Sequence, residues 1–108
     1  MHFDMVRLGL GLYGIDTSNI LQDELLQVGT LKTTIAQIKE VAAGETVGYG
    51  HKNPLKSATR IATVSIGYAD GYPRALGNGV AHMLIHNKPA RTVGIVCMDM
   101  CMLDISAI

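Results

Sequence analysis

Tyr49 lies between two glycines in the segment ETVGYGHKN (45–53), where the backbone is unusually free. A tyrosine in a protein core normally has branched apolar neighbours, whereas this one is followed by a glycine, a histidine and a lysine. A phenol held in this way is able to exchange a proton with a bound molecule. The pattern therefore indicates that Tyr49 is presented rather than packed, although a tyrosine that only caps a loop has the same surroundings.

A second set of residues suggests metal binding. His82 and His86 are four residues apart, and so are Cys97 and Cys101. On a helix this spacing would favour a zinc site. Both pairs, however, fall in segments that the sequence predicts as strands, where four residues span roughly 13 Å. We therefore expect neither a metal site nor a Cys97–Cys101 disulfide.

The composition narrows the possible functions. The 108 residues are 48% hydrophobic and 17% charged, and nine Lys+Arg balance nine Asp+Glu. This size allows one domain at most, and the sequence has no basic block to bind nucleic acid. Nor does it contain an apolar run of the roughly 20 residues that a membrane helix needs. The two cysteines and the lack of an export signal in the first 14 residues predict a reducing cytoplasm.

The apolar pattern predicts short strands separated by turn-forming residues. Residues 7–15 are predicted to form a short strand that runs into a loop, and residues 31–41 fit a helix or a strand. We favour the strand because every later segment is β-like. Those segments are a strand at 60–69, a hairpin of 80–86 and 91–97 around a loop at 87–90, and a last strand at 100–106. The fold class is therefore mainly β, with a small barrel or sandwich.

Four motifs occur in order along the chain: MVRLGLGLYG, VGYG, IGYADGYPR and VGIVCMDMCMLD. Together they resemble alanine racemases, specifically the C-terminal β-domain and the last strand of the α/β barrel before it. The resemblance implies a barrel remnant at 1–15, a linker at 16–29 and the β-domain at 30–108. Because the chain opens and stops in mid-pattern, we expect a fragment of a longer protein.

The resemblance implies an enzyme that uses pyridoxal 5'-phosphate (PLP) to interconvert L-alanine and D-alanine for peptidoglycan synthesis. It further implies a homodimer, in which Tyr49 is the second acid/base and acts in the partner subunit's site. The other base in the family is the lysine that binds PLP, which this sequence does not include. The isolated chain is therefore predicted to be inactive.

The resemblance assigns three residues to the cofactor. Arg7 corresponds to the arginine that faces the pyridine nitrogen, and Gly9 and Leu10 to positions whose backbone N–H groups hold the phosphate. Arginine is always protonated and can only donate, so the pyridine nitrogen would stay unprotonated.

Three further residues are assigned to the substrate end. Met98 corresponds to a residue whose backbone N–H meets the substrate carboxylate, Tyr68 to one that narrows the entrance, and Asp99 to support for that loop. The family usually has a basic residue near position 95, where this chain has Ile95.

Three alternatives remain open at this point. The chain could be a non-catalytic β-barrel binding module, or part of a PLP racemase for another amino acid such as serine or a diamino acid. The parent protein could also be fused to another cell-wall enzyme.

Overall fold

A computed structural model describes residues 4–108, so Phe3 and the first two residues of the predicted barrel remnant lie outside the described residues. The chain divides into two compact units, residues 4–32 and residues 33–108. The first unit contains two 3-10 turns, Leu10–Tyr13 and Gln22–Glu24. Its apolar side chains are mostly exposed; Met5, Val6 and Leu8, for example, are 80%, 77% and 66% accessible.

The strand predicted within residues 7–15 is wrong. Leu10–Tyr13 forms a 3-10 turn that ends at Gly14, whose φ of 74° lies in the left-handed region. A strand needs a neighbouring strand to satisfy its backbone groups, and among the described residues the first strand begins only at Ile35. The alternation of leucine and glycine therefore does not suffice to make a strand here.

The second unit is one antiparallel sheet. Its strands are β1 (Ile35–Val41), β2 (Thr59–Val64), β3 (His82–Ile85), β4 (Lys88–Val93) and β5 (Cys101–Asp104). They lie in the order β1-β2-β5-β4-β3. The mainly β prediction is confirmed, and within residues 33–108 the sheet is open rather than closed into a barrel. Two 3-10 turns, Tyr68–Asp70 and Arg74–Leu76, fill the connection from β2 to β3.

Strands β2 and β5 bury side chains on both faces of the sheet. In β2, Ala62 and Val64 belong to a larger core cluster with Leu103 of β5. Ile61 and Met102 belong to a smaller cluster with Val41. Because side chains alternate along a strand, Thr63 shares the face of Ile61, and it pairs directly with Met102. The face with the smaller cluster is the one that carries the site described below.

The predicted hairpin of β3 and β4 is confirmed, but its connection is shorter than expected. Ile85 pairs with Lys88, so the turn consists of His86 and Asn87, with φ of 50° and 62°. Two successive residues with positive φ are typical of the tight turns that match strand twist. The predicted loop 87–90 therefore belongs largely to β4.

Candidate active site

Tyr49 sits on a long loop between β1 and β2. The loop is closed at its base by two backbone hydrogen bonds, from the N–H of Gly44 to the carbonyl of Leu55 and from the N–H of Leu55 to the carbonyl of Glu45, both 2.8 Å. Gly48 and Gly50 adopt φ of 84° and 87°, which only glycine takes readily. Between them the Tyr49 side chain is 75% exposed. The side chain is thus presented, as its sequence context predicts, and not packed.

The loop rests closely on Met102 of β5 and on Gly94, the residue that follows β4. A Cβ at Gly48 would come within 3.0 Å of the Met102 Cε, and one at Gly94 would overlap the carbonyl oxygen of Val47. Above this contact, the Thr46 Oγ1 lies 3.0 Å from the His51 Nδ1 and links the two sides of the loop. The backbone on both sides of Tyr49 is therefore restrained, by contacts with Met102 and Gly94 and by the Thr46–His51 bond.

A second loop, the turn Cys97–Met100, leads into β5. The N–H of Cys97 donates to the carbonyl of Met100 at 2.9 Å, which closes the turn. Met98 and Met100 are 53% and 45% exposed. The strand predicted at 91–97 is thus wrong beyond Val93, because Gly94, with φ of 65°, turns the chain out of the sheet.

A 3-10 turn packs behind this second loop. The N–H of Tyr68 donates to the carbonyl of Cys97 at 3.0 Å, and the N–H of Ala69 donates to the carbonyl of Met98 at 2.9 Å. The Arg74 guanidinium lies over the Tyr68 ring, 5.4 Å from its centroid. A cation stacked on a ring in this way restrains the aromatic side chain.

The two loops border a cleft of about 430 Å³ on the face of Thr63. It brings together three of the predicted site residues, Tyr49, Met98 and Asp99. Tyr68 is not among the lining residues, although its backbone is bonded to the turn that is. The full lining is Gly48, Tyr49, Thr63, Cys97, Met98, Asp99, Met100 and Met102.

Sequence reasoning missed several of these residues. Thr63 and Met102 line the cleft because they pair across β2 and β5, a register that no local pattern reveals. Cys97 and Met100 could have been inferred from the motif CMDMCM, had its first four residues been assigned to a turn.

Contrary to the sequence prediction, the two cysteines do not both lie in strands. Cys101 is in β5, but Cys97 belongs to the closed turn before it. Burial raises the pKa of the Cys101 thiol, and the neighbouring Cys97 raises it further. Both cysteines are free. Burial likewise raises the pKa of Tyr72, with a smaller contribution from Cys101.

The three predicted cofactor residues lie in the unit of residues 4–32. Arg7, Gly9 and Leu10 are all exposed, and Leu10 begins the first 3-10 turn. A Cβ built on Gly9 would find no atom within 4 Å, so the space beside this backbone is open.

The described residues contain neither a group of metal ligands nor a membrane-spanning helix. Among residues 4–108, no three His, Cys, Asp or Glu side chains are grouped so as to hold a metal ion. In the same range, no helix is both long and apolar enough to cross a membrane.

Comparison with known proteins assigns the chain to a family. Residues 28–108 match the model described as "Alanine racemase, C-terminal domain". An alanine racemase of Vesicomyosocius okutanii is 43% identical over 105 residues, which are 97% of this chain and 30% of that protein. An alanine racemase of Synechocystis is 41% identical over 109 residues, 99% of this chain and 29% of that protein.

Solved structures agree with this assignment. The biosynthetic alanine racemase from Pseudomonas aeruginosa superimposes with a TM-score of 0.82 at 36% identity, over 93% of this chain and 28% of that chain. The alanine racemase from Bartonella henselae with covalently bound pyridoxal phosphate gives 0.78 at 30% identity, over 91% and 27%. The chain spans about 30% of the length of the curated relatives it matches. It belongs to the alanine racemase family, and residues 28–108 are its C-terminal domain.

Proposed function

We propose that this chain is the C-terminal part of a PLP-dependent alanine racemase, which interconverts L-alanine and D-alanine for peptidoglycan synthesis. Residues 1–15 would complete the barrel, residues 16–29 would link it to the β-domain, and residues 30–108 would form that domain. The observation that carries the proposal is the exposure of Tyr49 at a cleft shared with Met98 and Asp99. Family membership favours this function over a non-catalytic binding module.

Racemisation removes the Cα proton from one face of the substrate and returns one to the other, so two acid/base groups are needed. Tyr49 lines the cleft and is exposed, so its phenol oxygen can donate or accept this proton without first leaving a packed core. The backbone N–H of Met98 orients the substrate carboxylate, and Asp99 supports the turn that carries Met98. Tyr68, restrained by Arg74, narrows the approach.

The cofactor residues fit a phosphorylated pyridine. The open space beside Gly9 admits an oxyanion to the backbone amides of Gly9 and Leu10. Arg7 is exposed and permanently cationic, so it can donate to the pyridine nitrogen and keep it unprotonated. PLP, when bound, supplies the electron sink that stabilises the carbanion.

The full-length enzyme is proposed to be a homodimer in which Tyr49 acts in the partner subunit's site. The free thiols of Cys97 and Cys101 favour a reducing compartment, and we place the enzyme in the cytoplasm. The chain by itself, without a PLP-binding lysine, is expected to have no racemase activity.

The test is Tyr49→Phe in the full-length racemase. Loss of a positioned acid/base should lower the rate of racemisation at least about 100-fold, with the absorbance of bound PLP unchanged. Exchange of the Cα proton with deuterated solvent should slow far more for one enantiomer than for the other, because only one face is affected. Tyr72→Phe is the matched control, since it removes a phenol of the same domain outside the cleft. A Tyr49→Phe enzyme within about threefold of the wild-type rate would refute the proposed role.

A further inference from the structure

Asp70, in the connection after β2, closes a turn that does not itself line the cleft. Its Oδ2 accepts the N–H of Gly67 at 3.0 Å. Three backbone bonds of 3.1 Å complete the turn, from Asp70 and Tyr72 to the carbonyl of Gly67 and from Gly71 to the carbonyl of Tyr68. Gly71, with φ of 88°, provides the left-handed residue that ends it. The carboxylate of Asp70 is thus the side-chain component of a closed backbone ring.

When this ring is closed, the backbone N–H groups of Tyr68 and Ala69 point away from it. The N–H groups of Tyr68 and Ala69 are not used inside the turn and donate instead to the carbonyls of Cys97 and Met98, at 3.0 and 2.9 Å. Gly67 brings the two backbones into contact, since a Cβ there would overlap those same carbonyls. The ring therefore holds, or grips, the Cys97–Met100 turn through hydrogen bonds to two consecutive carbonyl groups, those of Cys97 and Met98.

The gripped peptide groups belong to the cleft wall. Cys97 to Met100 all line the cleft, and the peptide unit between Cys97 and Met98 contains both the gripped Cys97 carbonyl and the N–H of Met98. A hydrogen bond to that carbonyl fixes the plane of the peptide and hence the direction of the Met98 N–H. It also polarises the amide and strengthens it as a donor.

We propose that Asp70 is a positioning residue for substrate binding: through the Gly67–Tyr72 turn it sets the direction of the Met98 N–H toward the substrate carboxylate. This inference rests on the proposed racemase function. Asp70 acts as a hydrogen-bond acceptor, and its charge is not required. Loss of the acceptor frees the Gly67 N–H, loosens the ring and misaligns the amide, which weakens substrate binding more than proton transfer at Tyr49.

The test compares Asp70→Ala with Asp70→Asn in the full-length racemase. We expect Asp70→Ala to raise KM for alanine about fivefold or more with kcat within about twofold, since binding is lost without change at the reacting atoms. Asp70→Asn retains an oxygen acceptor without the charge and should bring KM back to within about twofold of wild type. A purely structural role would instead lower the active fraction, reducing kcat at constant KM.

Asp104→Ala is the matched control, because Asp104 also accepts a backbone N–H, that of Ser106 at 2.9 Å, at the far end of β5. Its KM should equal that of wild type. Amide hydrogen exchange on the 108-residue chain gives a second readout: the Tyr68 and Ala69 amides should lose protection in Asp70→Ala and keep it in Asp70→Asn.

Three results would overturn the inference: an unchanged KM in Asp70→Ala, an Asn variant as impaired as the Ala variant, or unaltered exchange at Tyr68 and Ala69. If Asp70→Ala does not fold, Asp70→Glu replaces it, since it keeps the charge but displaces the acceptor by one methylene. The same rise in KM is expected, and an unchanged KM refutes the inference. A wild-type protein without racemase activity would refute the proposed function instead, and the exchange experiment would still decide whether Asp70 controls these amides.

Discussion

The two loops that border the cleft are held in different ways. The Tyr49 loop is closed by backbone hydrogen bonds at its base, but beyond them it depends on left-handed glycines and on one side-chain bond between Thr46 and His51, and its tip is exposed. The Cys97–Met100 turn is gripped from behind by backbone hydrogen bonds and by a contact that only glycine allows at position 67. A proton donor must be accessible to a bound substrate, whereas an amide that orients a carboxylate must be held in a fixed direction. The difference between the loops matches the different roles that we propose for them.

The largest effect is expected when the defects are placed in different subunits, with Tyr49 replaced in one subunit and the cofactor residue Arg7 in the other. Tyr49→Phe and Arg7→Ala enzymes should each be strongly impaired. If Tyr49 acts in the partner's site, mixed dimers contain one site with both native residues and one with neither. Random mixing of equal amounts should then restore about a quarter of the wild-type activity.

The assay is racemisation after the two variants are unfolded together and refolded, compared with each variant refolded alone. Were the two residues to act within one subunit, every site in a mixed dimer would keep one defect and no activity would return. Refolded wild type sets the scale for recovery.

The contact behind the Cys97–Met100 turn should be sensitive to an added methyl group. Gly67 has an extended φ of −148°, so alanine is conformationally acceptable there, but its Cβ would overlap the carbonyls of Cys97 and Met98. Because backbone cannot rotate away as a side chain does, we expect Gly67→Ala to lower the free energy of unfolding by about 3 kcal/mol.

Gly71→Ala is the control for backbone strain alone. Its φ of 88° is unfavourable for alanine, but a Cβ there has no atom within 4 Å, and the cost should be about 1 kcal/mol. Urea unfolding of the 108-residue chain measures both values. A larger loss at Gly71 than at Gly67 would show that the turn is not gripped as described.

The Tyr49 loop should respond to loss of its side-chain hydrogen bond. Thr46→Val keeps the shape of the side chain and removes the 3.0 Å bond to the His51 Nδ1. We expect a loss of about 0.5–1 kcal/mol in the free energy of unfolding and faster amide exchange at residues 47–50. Thr33→Val is the contrasting control: the Thr33 hydroxyl is buried without a partner, so its removal should be neutral or stabilising. Equal losses in both variants would argue against a specific Thr46–His51 bond.

Local pattern predicted the strands well and the connections poorly. The segments 31–41, 60–69, 80–86 and 100–106 each contain a strand, because alternating and β-branched residues favour a pleated, half-buried surface. The pattern did not predict that β2 pairs with β5, since that depends on residues some forty positions apart. That pairing is what places Thr63 and Met102 in the cleft.

Two of the errors share one physical cause, which is backbone in the left-handed region: Gly94 ends β4 early, and His86 and Asn87 shorten the hairpin connection. The strand predicted within residues 7–15 fails for another reason, since no neighbouring strand is present among the described residues of that unit. The exposure of Tyr49 was predicted correctly, because the residue is flanked by glycines whose positive φ values keep it out of the core. The grip of the Gly67–Tyr72 turn was not foreseen, since an Ala-Asp-Gly sequence is also typical of an ordinary turn.

The smallest expected effect concerns the thiol beneath the rigid turn. The Cys101 pKa lies above its ordinary value of 9.0 because burial disfavours the thiolate, with a further rise caused by Cys97. The folded chain therefore keeps this proton at a pH where the unfolded chain has released it. The contribution of this thiol to the free energy of unfolding is fully present below pH 9 and is lost as the pH rises above that value. Urea unfolding between pH 7 and 10 should show this decline, and Cys101→Ser should flatten it.

Tyr72→Phe should change the pH dependence of unfolding only above about pH 10, because the tyrosine pKa is raised from 10.0. A decline that Cys101→Ser leaves intact would place the titrating group elsewhere and would remove the evidence that this thiol is desolvated beneath the turn.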